Sequence, residues 1–131
     1  MAENLGIIQA IREIREDSMD GYGVQLATHT IKILITNEQY CCETWGYMSS
    51  EDDLQNYVGS ELREIRLTDS ALNQSVIDSR FSYQEGLRIQ FVDFVTNQGV
   101  FQLAVYNLDG GYYSHDIRII QDEEVLLDDY L

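Results

Sequence analysis

The clearest alternation in the chain is Ile31, Ile33 and Ile35, which fall on one side of a run dense in β-branched residues. That spacing belongs to a strand, whose side chains point alternately to two faces. Just before it, Val24, Leu26 and Thr28 alternate with polar or small positions, and Asp20-Gly21-Tyr22-Gly23 is a turn signal. The two runs predict a hairpin turning near His29-Thr30. Asn37-Glu38-Gln39 reads as the next turn and Tyr40 to Tyr47 as a third strand.

Further along, Glu61 to Asp69 alternates, with Ile65 and Leu67 on one side and charges on the other. Ser70 to Ser79 reads as a polar loop with a helical turn at Ala71-Leu72, and Phe81 to Tyr83 as a short edge strand. Leu87 to Val95 and Val100 to Tyr106 form a hairpin around Thr96-Asn97-Gln98-Gly99, and Tyr112 to Gln121 is another strand. Residues 5–17 fit either period: Ile7, Ile11 and Ile14 suit a helix face, while Ile8 and Ala10 suit alternation. Ser49 to Gly59 carries a short-helix signature. Ser50 is placed to cap it, Glu51, Asp52 and Asp53 complement its dipole, and Gly59 stops it.

The ambiguity in the first segment is reduced by an internal echo. Arg12-Glu13-Ile14-Arg15 recurs as Arg63-Glu64-Ile65-Arg66, and Asp17-Ser18 answers Asp69-Ser70. Both copies continue as strand, tight turn, strand, turn and aromatic strand, an order that argues for duplication and for a strand at 8–17. The expected fold class is α+β, mainly antiparallel β: two similar β-meander repeats, about 5–50 and 58–121, joined by a short helix. They would form one domain over 1–131, with an acidic C-terminal segment at 122–131. The expected core holds Ile31, Ile33, Ile35, Ile65, Leu67, Ile89, Phe91, Leu103, Val105, Ile117 and Ile119.

Composition changes the picture mainly through charge. Eight Lys+Arg against 23 Asp+Glu give a net charge of -15 over 131 residues. Direct binding to nucleic acid or to an anionic membrane is disfavoured, because phosphates need cationic neutralisation. A basic partner, a cation or plain solvation of the surface suits this charge. Only Lys32 is lysine, and the other cations are arginines suited to paired carboxylates. The N-terminus has no basic stretch followed by a long apolar run, and no apolar segment nears the ~20 residues of a membrane span. With two adjacent cysteines and no disulfide framework, the chain reads as cytoplasmic.

Candidate chemistry is sparse. Cys41-Cys42 lack the spacing of zinc ligands, and only His29 and His115 could assist them. Glu51-Asp52-Asp53 and Asp109-Gly110-Gly111 do not follow a calcium-loop pattern. No nucleophile elbow or phosphate-cradling loop is present. No catalytic residue, metal or cofactor is therefore assigned. Nine tyrosines and one tryptophan among surface acids are good interface material, with core packing as the ordinary alternative for each.

Tyr40 to Tyr47 holds both cysteines and the only tryptophan. With Leu54 to Gly59 and Arg63 to Asp69, it resembles an uncharacterised family of small domains from bacteriophages and other mobile elements. The resemblance covers roughly residues 5–70 and implies no catalytic residues. Size, acidity and single-domain form also resemble phage anti-defence proteins, notably anti-CRISPR proteins, many of which present carboxylates where a nuclease expects phosphates. The resemblance implies a non-enzymatic inhibitor of a basic, nucleic-acid-binding protein such as a CRISPR–Cas effector nuclease in the bacterial host cytosol. The expected contact residues are Glu51, Asp52, Asp53, Asp109, Asp116, Asp122, Glu123, Glu124, Asp128 and Asp129, anchored by Tyr47, Tyr57 and Tyr113. The alternatives are a carboxylate-based metal-dependent enzyme and a phage structural protein that self-associates through sheet edges.

Overall fold

The computed structural model describes residues 5–37, 44–50, 53–81, 87–108 and 115–131. These form a mainly antiparallel β structure with strands β1 (Gly6–Glu16), β2 (Met19–Leu26), β3 (Thr30–Thr36), β4 (Thr44–Ser49), β5 (Glu61–Thr68), β6 (Leu87–Thr96), β7 (Gly99–Leu108), β8 (Asp116–Gln121) and β9 (Glu124–Tyr130). Among the described residues a 3-10 turn spans Leu54–Tyr57, and a helix, α1, spans Gln74–Arg80.

The strand order is β4-β7-β6-β5-β1-β2-β3-β8-β9. β1 and β5 pair only where both begin, at Gly6 with Leu62 and Ile7 with Glu61. Beyond that short seam the sheet folds over itself. β3 packs across from β7 and β2 across from β4. The two layers enclose one core in which Val24, Leu26, Ile31, Ile33 and Ile35 meet Leu62, Phe94, Phe101, Leu103 and Val105. Phe94 and Phe101 stack with ring centroids 4.9 Å apart and are fully buried. Burial of side chains this large stabilises the fold by about 1.5–3 kcal/mol each.

The alternation explains most of these positions. Ile31, Ile33 and Ile35 point inward opposite Gln121, Ile119 and Ile117 of β8. Residues 6–16 form a strand because Ile8 and Ile11 are needed in the core, although the polar positions between them also suit a helix. A bulge between Ile8 and Ala10 restores the inward phase.

Several expectations differ from the structure. Of the expected short helix between Ser49 and Gly59, the described residues form a 3-10 turn at Leu54–Tyr57, with Asp53 as N-cap, accepting from the Gln55 N–H at 3.0 Å. Ser50 instead bonds to β7: its hydroxyl accepts from the Gln102 N–H, and its own N–H donates to the Gln102 carbonyl. The expected polar loop at 70–79 contains α1, which covers the outer face of β6, β7 and β4. There Ile77 and Phe81 pack on Phe91, Ala104, Tyr106 and Met48. Phe91 therefore belongs to this second cluster. Phe81 follows α1 and is not a strand residue. Leu67 is not core but 43% exposed, because β1 no longer flanks β5 at that point. The acidic C-terminal segment is the strand β9.

Candidate functional site

β8 and β9 form a ribbon at one edge of the sheet. Ile117 and Ile119 drive β8 into the core, which leaves Asp116 and Arg118 turned outward. A tight turn through Asp122 and Glu123 leads into β9, with Asp122 in the left-handed region at φ 58°. Asp122 ties this turn down. Its carboxylate meets His29 Nδ1 at 2.7 Å and accepts from the Thr30 N–H at 3.0 Å. The hydrogen bonds from His29 and Thr30 hold its carboxyl below the usual carboxylate range. A bulge between Ile119 and Ile120 then shifts the phase of β9, so Leu127 opposes Ile119 while Val125 opposes Ile120.

Six acids and one arginine lie between Asp116 and Leu131. Asp116, Asp122, Glu123, Glu124, Asp128 and Asp129 are all exposed. Asp128 stands opposite Arg118. Val125 and Tyr130 are 50% and 63% exposed and give the ribbon apolar contact area. Asp129 folds its carboxylate back to accept the N–H of Tyr130 at 2.8 Å.

A second polar group lies at the open end of the sandwich, and the sequence pattern did not single it out. Asp20, 8% exposed, receives Arg15 Nε at 2.9 Å and Asn37 Nδ2 at 3.0 Å. Burial pushes this carboxyl up, but the hydrogen bonds from Asn37 and Arg15 and the guanidinium charge outweigh it and hold it low. Tyr47 donates its hydroxyl to Glu13 and sets its ring edge-on to Tyr22, centroids 5.1 Å apart. Burial pushes the Tyr47 phenol up to about 12, with the bond to Glu13 and that carboxylate's charge adding to the shift. A phenol held this high is a proton donor in a fixed network, not a base at neutral pH. Nearby, Trp45 stacks on the buried His115, whose Nδ1 lies 2.7 Å from the Thr36 carbonyl. Glu13 and Arg15 were hidden in the sequence because they flank Ile14 like any solvated strand face, and Asp20 because Asp20-Gly21-Tyr22-Gly23 reads as a turn, whereas these residues lie within β2.

The expected contact residues therefore separate. Asp116, Asp122, Glu123, Glu124, Asp128 and Asp129 come together on the ribbon. Asp53 caps the 3-10 turn, which packs beside β1. Tyr57 is half-buried against Phe101, centroids 4.8 Å apart, and Tyr47 is half-buried as above. Neither tyrosine has the exposure of Tyr130. Glu51, Asp52, Asp109 and Tyr113 lie outside the described residues, as do Cys41 and Cys42. Among the described residues no three His, Cys, Asp or Glu side chains converge as a metal site would require, and no helix is long and apolar enough to cross a membrane.

Residues 5–119 match the family description DUF7448, a domain of unknown function. The chain belongs to the DUF7448 family. No curated protein and no solved structure matches the chain. The DUF7448 match takes in β1 through most of β8 and stops short of β9, so the acidic strand lies outside the matched segment.

Proposed function

We propose that this protein is a non-enzymatic binding protein that engages a basic, nucleic-acid-binding partner through the acidic β8–β9 ribbon. The supporting observation is the grouping of six exposed acids against a single arginine on one ribbon, with Val125 and Tyr130 exposed among them. Carboxylates presented this way pair with the Arg and Lys that a nucleic-acid-binding surface offers to phosphates, and they speed encounter electrostatically. The partner class proposed is a CRISPR–Cas effector nuclease, with the chain acting as a phage-borne inhibitor in the host cytosol.

The test is displacement of labelled DNA from a purified Cas effector by the wild-type chain and by the variant Glu123→Gln/Glu124→Gln/Asp128→Asn. Displacement by the wild type that weakens in the variant and falls steeply with salt is the expected result. Equal displacement by both chains, or none by either, overturns this reading.

We also read the chain as two copies of one four-strand unit that exchange their last strands. Three observations support that reading. The order β4-β7-β6-β5-β1-β2-β3-β8 is symmetric about the β1–β5 seam. β1 and β5 each bulge directly after a fully buried aliphatic, Ile8 and Leu62. Ile31, Ile33 and Ile35 occupy places equivalent to Phe101, Leu103 and Val105. Residues 5–50 expressed alone should form a dimer in which each β4 completes the other copy; an unfolded monomer would count against duplication.

A further inference from the structure

Among the described residues, β9 ends the strand order and has a neighbour on one side only. His115 and Leu131 exchange both backbone hydrogen bonds, at 3.0 and 2.8 Å. The register then runs without interruption through Asp116 with Tyr130, Ile117 with Asp129 and Arg118 with Asp128. Because bonded and non-bonded pairs alternate in an antiparallel ladder, the N–H and C=O groups of Asp128 and Tyr130 point away from β8, toward the open edge. One of these donors is already answered in an unusual way. The Tyr130 N–H is met by the Asp129 carboxylate at 2.8 Å, an acceptor placed where the carbonyl of an added strand would lie.

From this edge we infer that β9 receives an extended, arginine- or lysine-bearing segment of a partner protein as an additional antiparallel strand. The inference rests on the binding role proposed above and specifies its mode. Main-chain bonds to Asp128 and Tyr130 supply affinity, as in other cases of strand addition. On joining, the partner's carbonyl replaces the Asp129 carboxylate at Tyr130, and the freed carboxylate pairs with a cation of the incoming strand. Asp128 and Glu124 offer further acids along the same strand. Val125 and Tyr130 give cross-strand apolar contact. Charge selects among occupants. A second copy of this chain would set Asp128 and Asp129 against the same acids, which destabilises a strand pair. A neutral strand would desolvate those acids without compensation.

The experiment uses the full chain and a synthetic peptide alternating arginine with valine. It is compared with two peptides of the same sequence, N-methylated at alternate amides in either phase. Calorimetric titration is expected to show binding by the unmodified peptide and at least about tenfold weaker binding by the peptide methylated on the edge-facing amides. Amide hydrogen exchange, read by NMR, is expected to slow at Asp128 and Tyr130 on binding. Equal binding of all three peptides with no added protection on β9 overturns the inference and leaves a purely electrostatic contact. Absence of peptide binding, while acid neutralisation still weakens displacement of DNA from the effector, overturns the edge mode alone. Protection of β9 that appears with concentration-dependent sedimentation and no peptide identifies a second copy as the occupant, and this too overturns the inference.

Discussion

Asp122 and His29 meet at 2.7 Å although 93 residues separate them, and their contact fastens the β8–β9 turn to the β2–β3 turn. The carboxyl of Asp122 is held low by His29 and by the Thr30 N–H. A carboxyl whose pKa falls on folding contributes stability above its unfolded pKa, near 3.9, and loses it as pH drops through the lower folded value. Asp122→Asn should therefore melt below wild type at neutral pH, with the gap closing under strong acid. Thermal melts across that range check the sign.

The same sign applies to Asp20, whose carboxyl is also lower in the folded state. Here the group is nearly enclosed, and its loss removes the charged acceptor that Asn37 and the largely solvated Arg15 share. Asp20→Ala should cost about 1–3 kcal/mol in denaturant titration at neutral pH. A change under half of that would show that the network bears little of the stability.

Glycines 21 and 23 sit two apart in β2 yet should respond differently. A Cβ at Gly21 would lie 1.8 Å from the Ile33 carbonyl oxygen, so β2 and β3 would have to separate. At Gly23 it would meet only the Ile14 side chain, at 3.2 Å. Gly21→Ala is expected to cost about 3 kcal/mol or more, and Gly23→Ala about 1 kcal/mol or less. Comparable losses in chemical denaturation would refute the distinction.

Leu62 and Leu67 share a strand but not an environment, one fully buried and the other largely exposed. Leu62→Ala should cost about 2–5 kcal/mol and Leu67→Ala about 0.5 kcal/mol or less. Equilibrium unfolding of the two variants decides it.

Tyr47 should ionise well above an ordinary phenol, at about 12. A difference ultraviolet titration between wild type and Tyr47→Phe isolates it. A difference signal centred on the ordinary value near 10 would mean that neither the burial of this phenol nor its bond to Glu13 holds in solution.

Much of the strand pattern was legible because Ile31, Ile33, Ile35, Phe101, Leu103 and Val105 alternate and face one core. α1 was not legible: Val76 and Ile77 are a thin apolar signal among polar residues, and the helix exists by packing on Phe91 and Tyr106. β9 was hidden because acids flank Val125, Leu126 and Leu127, and the bulge that reconciles three successive apolar residues with a two-sided strand is a tertiary feature. The acids of the ribbon were visible as composition. That the Tyr130 N–H is occupied by Asp129 depends on which way β9 faces its neighbour, which no local pattern encodes.

The crossed pairing of β3 with β8 and of β7 with β4 bears on how the chain is made. While a ribosome is still delivering the second half, Ile33 can pair with Tyr22 of β2 but its β8 side stays open until Ile119 emerges. Neither layer can close early, and the nascent chain must carry an unfinished, hydrophobic strand edge through most of its synthesis. Completion is then a single late event dominated by distant contacts, a topology associated with slow folding and with a need for protection on the way.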